Sequence, residues 1–140
     1  MREVMIGDEC CQLHGSLWTL IIYRDEFTRP GDKKRADLIS DVFGTMLDAA
    51  KAGIDLDRPD DIDLDKVDLV DLFAMFVPLV QAAWAMCKTA HLGGAFPSFS
   101  EWVKGHDEAD LMAIMGPVME EAQRAFFRDA ATAAQAKAAR

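Results

Sequence analysis

The chain has 140 residues, about half of them hydrophobic, and its 24 Asp and Glu outweigh 15 Lys and Arg to leave a formal net charge of −9. That length suits one domain with a real core, and the acidic balance argues against nucleic acid and anionic lipid surfaces as partners. No apolar run approaches the ~20 residues of a membrane span; Met1-Arg2-Glu3-Val4-Met5-Ile6 lacks the apolar stretch of a signal peptide, and three cysteines read as reduced thiols, so a soluble cytoplasmic protein is expected.

Residues 3–13 predict a β-hairpin. Val4-Met5-Ile6 and Cys10-Cys11-Gln12-Leu13 flank Gly7-Asp8, and Gly accepts positive φ at the first central position of a tight turn. Two strands alone are marginal in water, so the hairpin must pack on other elements. Ser16 is placed to cap a helix reaching about Phe27, with Leu17, Leu20, Ile21 and Arg24 on one face and Trp18, Ile22 and Tyr23 widening the apolar stripe. Arg29-Pro30-Gly31 ends it. Asp32 can cap a second helix reaching about Ala52, where Leu38, Ile39, Val42, Phe43, Met46, Leu47 and Ala50 recur at three and four as a core stripe.

Eight aspartates follow between residues 55 and 71, opposed only by Arg58 and Lys66, and read as a solvated loop leading into a helix N-terminus. The next helix carries Leu69, Leu72, Phe73, Phe76, Val80, Ala83, Trp84 and Cys87 on one side. Pro78 lies within it and predicts a kink or break near Phe76. Gly93-Gly94 stops it. Ser98 and Glu101 have the spacing of a capping box for a short helix through Trp102 to Gly105. Asp107 then caps a last helical region holding Leu111, Met112, Met115, Val118, Met119, Ala122 and Phe126, with a break or bend at Gly116-Pro117. The fold predicted is mainly α: a compact bundle of about five to six helices with a short N-terminal β-hairpin. Residues 1–128 form a single domain, and 129–140 form an Ala-rich tail with little to bury, expected to fray.

Chemistry-bearing clusters are few. Cys87 and His91 are four apart on one helix face, and Cys11 and His14 lie close in sequence, so a hairpin packed on the long helix would bring together Cys11, His14, Cys87 and His91 as weak candidate metal ligands. Adjacent Cys10 and Cys11 point to opposite faces of a strand, so only one can join. Buried free cysteine is equally at home in a core. A calcium loop counted from Asp55 puts Asp60 and Lys66 where Gly and Glu are needed, so it fails. Catalytic triads, phosphate-binding loops and dinucleotide fingerprints are absent, and His14, His91 and His106 are scattered, so neither an enzyme nor a cofactor is expected.

Eight methionines suit either irregular gaps in a core or a surface that adapts to a partner. Met112, Met115 and Met119 follow the i, i+3, i+7 spacing of one helix face, and Phe126-Phe127 places two large rings side by side. These five residues are the predicted partner-binding surface. Acidic 55–71 and the basic residues Arg124, Arg128, Lys137 and Arg140 also suit head-to-tail self-association.

Several blocks carry a resemblance: Val4-Met5-Ile6-Gly7-Asp8-Glu9, the helix Gly15-Ser16-Leu17-Trp18-Thr19-Leu20-Ile21-Ile22-Tyr23-Arg24-Asp25-Glu26-Phe27, Asp37-Leu38-Ile39-Ser40-Asp41, Ala83-Trp84-Ala85-Met86-Cys87-Lys88-Thr89-Ala90, and Phe96-Pro97-Ser98-Phe99-Ser100-Glu101-Trp102. In this order, over roughly residues 3–127, the chain resembles the tail assembly chaperones of long-tailed bacteriophages and prophages. The resemblance implies a small α-rich protein of the host cytoplasm. It would bind the tape measure protein, keep that long helical chain soluble until the tail tube assembles, and be absent from the mature virion. It also implies self-association and, in many members, a second, frameshifted form. No catalytic residues come with it. Two other classes stay open: a structural tail or head-completion protein retained in the particle, and a small metal- or ligand-binding regulatory protein.

Overall fold

The computed structural model describes residues 2–51 and 69–127, with side chains at 2–51 and 74–126. The aspartate-rich segment 55–68 and the tail 128–140 lie outside the described residues. Those described form a mainly helical fold of six α-helices with one two-stranded antiparallel hairpin at the N-terminal end.

Strands β1 (Arg2–Ile6) and β2 (Glu9–Leu13) pair with Val4 opposite Cys11 and Ile6 opposite Glu9. Gly7 has φ +63° and Asp8 stays at negative φ, as the turn chemistry requires. Strand alternation buries Val4, Ile6, Cys11 and Leu13 and leaves Met5 and Cys10 in solvent. The inward face covers α3 (Leu69–Ala90), the central helix of the bundle. Val4, Ile6 and Leu13 thereby find the apolar partner that a lone hairpin lacks.

Helix α1 (Leu17–Phe27) starts where the Ser16 N–H donates to Thr19 Oγ1 at 3.0 Å. Its buried line is Thr19–Tyr23, not Leu17–Leu20–Ile21–Arg24 as the spacing predicts. Leu17 is 72% and Trp18 57% exposed. Apolar residues surround most of this helix, so periodicity cannot choose the inward side. Polar pairing marks it instead: Thr19 Oγ1 meets Thr89 Oγ1 at 2.8 Å, and the Tyr23 hydroxyl donates to Asp41 Oδ2 at 2.7 Å.

Helix α2 (Leu38–Lys51) begins five residues later than an Asp32 cap would place it. Asp37 takes that role, accepting from the Ile39 N–H at 3.0 Å, while Thr28 Oγ1 accepts the Ala36 N–H at 2.8 Å and holds the connection out of the helix. Leu38, Val42, Thr45 and Ala49 face inward, and Phe43 and Leu47 stay about half exposed. The apolar stripe is therefore wider than the face α2 buries.

Helix α3 runs through Pro78 without a break. Proline removes one N–H from the helix ladder, but tertiary contacts hold the segment: Thr45 Oγ1 of α2 lies 3.2 Å from the Met75 carbonyl oxygen. From Ala82 to Cys87 six consecutive residues are buried, so this stretch is enclosed all round. Tyr23, Phe27, Trp84, Phe96 and Phe99 form an aromatic cluster with ring centroids 4.8–6.5 Å apart, and the Trp84 indole N–H donates to the Pro97 carbonyl at 3.1 Å. Trp102 joins the core, whereas Trp18 does not.

Helices α4 (Phe99–Lys104) and α5 (Glu108–Ala113) are short and well capped, Ser98 accepting from the Glu101 N–H and Asp107 from the Ala109 N–H. The chain then breaks at Ile114 before α6 (Met115–Ala122) and a π-helical turn, Gln123–Phe127. Pro117 sits in the first turn of α6, where a missing N–H costs little. No described helix is long and apolar enough to cross a membrane.

Candidate functional site

The break at Ile114 divides the predicted methionine face. A spacing of i, i+3, i+7 marks one side only of a continuous helix. Here Met112 ends α5 while Met115 and Met119 belong to α6, which turns them into the core: Met115 is 0% exposed and Met119 2%. Met115 and Met119 as open contact residues are therefore a misreading, and core filling explains them. Phe126 is half-buried against the core, its ring 3.5 Å from where a Cβ on Gly15 would stand. The Phe127 side chain lies outside the described residues. Met112 faces a concave surface.

That surface is an open groove of about 360 Å³ between α3, α4 and α5. Phe76, Val77 and Val80 form one wall, Phe99 and Val103 the second, and Leu111 and Met112 the third. Val77 is 45% exposed, while Val80, Phe99, Val103 and Met112 are half-buried, so apolar surface remains after folding. Among the described residues, Glu108 is the one charged residue in the lining. The groove has the volume and apolar lining of a small binding site, open enough to take side chains from another chain. It went unseen in the sequence because its walls come from three helices. Phe76 and Val80 were read as core, and neither Phe99 nor Val103 has a helical period long enough to show a face.

The metal-ligand candidates separate. Hairpin packing on α3 does bring Cys11 and Cys87 close enough that each thiol shifts the other's acidity, and it leaves Cys10 exposed on the other strand face. His14 instead donates its backbone N–H to Met86 O at 3.3 Å, and its Nδ1 is buried without a hydrogen-bond partner among the described residues. His91 turns back on its own helix, Nδ1 2.9 Å from Cys87 O. Among the described residues no three His, Cys, Asp or Glu side chains converge as a metal site would need.

Two polar clusters escaped the sequence reading. Glu121 is buried and accepts the Gly15 N–H at 2.8 Å, while Arg124 grips its carboxylate at 2.6 and 2.8 Å. Burial pushes this carboxyl up, but Arg124 and the Gly15 N–H outweigh it and hold it below its usual range. A Glu–Arg pair three apart was the available signal. The second cluster fastens the α4–α5 corner to the hairpin: His106 Nε2 meets Glu9 Oε2 at 2.9 Å and Nδ1 meets Trp102 O at 2.7 Å. Burial lowers the imidazole, yet the Trp102 carbonyl and Glu9 carry it above its ordinary value. Arg2 and Glu120 form an ion pair from β1 to α6.

Compared with protein-family models, curated proteins and solved structures, the chain has no match.

Proposed function

We propose that this protein is an assembly chaperone that shelters an apolar helix of a longer chain, with the phage tape measure protein as the partner its sequence resemblance implies. The observation carrying this reading is the groove between α3, α4 and α5. It keeps Val77, Val80, Phe99, Val103 and Met112 partly open to solvent after the bundle has packed. A helix entering it would place apolar residues at three- and four-residue spacing against Phe76, Val80 and Leu111, and a Lys or Arg beside that stripe would meet Glu108. The net charge of −9 keeps such a carrier dispersed while its groove is empty. The role is binding, with no reaction assigned to any side chain.

The test is co-expression with segments of a tape measure protein, followed by co-purification. The native chain should hold a helical segment in the soluble fraction. Val77→Asp, which adds a charge to a half-exposed groove position, should reduce recovery at least tenfold with little change in melting temperature. Equal recovery by this variant would remove the groove from the interface. Detection of the protein in purified mature particles would make it a structural component instead.

A further inference from the structure

The Cys11–Cys87 pair stands apart from the groove and has no part in the proposed binding role. We propose that Cys11 and Cys87 form an oxidation-sensitive dithiol, which a hydroperoxide converts into a disulfide joining β2 to α3.

Three features place the sulfurs together. Strand alternation turns Cys11 inward with Leu13 and turns Cys10 outward. Cys87 lies in the enclosed stretch of α3 that the hairpin covers. The His14 N–H to Met86 O hydrogen bond and the His106–Glu9 pair fasten the two ends of β2, so the strand cannot slide along the helix without breaking both. The two thiols interact, each shifting the other's acidity, and the packing of β2 on α3 sets them on facing sides of that contact.

The pair is also asymmetric. Cys11 keeps 7% of its surface exposed against 1% for Cys87, so an oxidant meets Cys11 first. Interaction with Cys87 lowers the Cys11 thiol against the opposing effects of burial and Glu9, while Cys87 is pushed up. The more accessible sulfur is thus also the one whose thiolate is favoured. Its thiolate attacks one peroxide oxygen and the O–O bond breaks. Sulfur becomes a sulfenic acid, and the other oxygen leaves as hydroxide and takes a proton to form water (an alcohol, from an alkyl hydroperoxide). Cys87 then attacks the sulfenyl sulfur, the S–O bond breaks, and the Cys87 proton leaves with the hydroxyl as a second water. Two thiols are oxidised and one peroxide is reduced.

The experiment treats the full-length protein with hydrogen peroxide, alkylates the remaining thiols and maps the peptides. The expected product is a monomer about 2 Da lighter before alkylation, with Cys11 linked to Cys87 and only Cys10 alkylated. Its melting temperature should rise by several degrees and return with dithiothreitol. Cys10→Ser should still form the bridge, and Cys11→Ser should leave Cys87 reduced. Three alkylated thiols after peroxide would overturn the proposal, as would oxidation confined to Cys10 or a bridge between two chains through Cys10. Should Cys11→Ser fail to fold, the peptide map of the native chain decides alone.

Discussion

Met112 and Met115 are three residues apart and chemically identical, yet the break at Ile114 gives them opposite surroundings. Truncating each to alanine therefore measures the break. Met115 is fully enclosed in the hydrophobic core, so its loss leaves a cavity and should cost about 3 kcal/mol. Met112 is half-buried on the groove wall, loses less contact, opens onto solvent rather than a void, and should cost about 1 kcal/mol. Urea unfolding followed by circular dichroism reads the difference. With a slope of about 2 kcal/mol per M, the midpoint should fall by about 1.5 M for Met115→Ala and about 0.5 M for Met112→Ala, at unchanged slope. Equal shifts would refute the reasoning, because the two methionines would then share one face of an unbroken helix. Met115→Asp should fail to fold, which makes it unusable as a probe of binding.

Tyr23→Phe removes the hydroxyl that ties α1 to Asp41 of α2 and should cost about 1.5 kcal/mol, the low end for a bond to a charged group because Asp41 is exposed and water replaces the lost donor; calorimetry should show a melting point about 5 °C lower, and Asp41→Asn should add little in the Tyr23→Phe background. Gly15→Ala should destabilise by about 2 kcal/mol, because its Cβ would lie 2.6 Å from that of Ala125, and Ala125→Gly should restore most of the loss in the same melting assay. His106 should titrate above its usual value by nuclear magnetic resonance, and Glu9→Gln should lower that midpoint. The folded-state value is raised, so the stability contributed by His106 is complete below about pH 6.5 and disappears as pH rises through the folded midpoint.

Legibility followed the range of the interactions. The hairpin was readable because Gly7-Asp8 and the alternation of Val4, Ile6, Cys11 and Leu13 are local. The caps at Ser98 and Asp107 were readable for the same reason. The onset of α2 was not, because Asp32 and Asp37 offer the same side chain and the Thr28 hydroxyl that holds Ala36 comes from the preceding connection. Pro78 predicts a kink or break from sequence; the break does not occur, and Thr45 of α2 bonds to the Met75 carbonyl one turn before the proline. On α1, apolar residues occur on every side, so only the distant partners Thr89 and Asp41 reveal which side is inward. At the candidate site, the sequence spacing puts Met112, Met115 and Met119 on one helix face with a break or bend at Gly116-Pro117, whereas the break falls at Ile114 and two of the three methionines lie in the core. The contact of Cys11 with Cys87 could be anticipated from strand parity once the hairpin was packed on the long helix.

The groove's walls differ in length. One belongs to the 22-residue α3, enclosed over Ala82–Cys87, while the other two ride on helices of six residues each. Short helices carry few ladder hydrogen bonds of their own and yield locally before long ones. On the proposed reading, an incoming chain is fitted by yielding of the α4–α5 side against α3. Such a carrier would accept helices of unequal girth along a long client and let each go without unfolding itself.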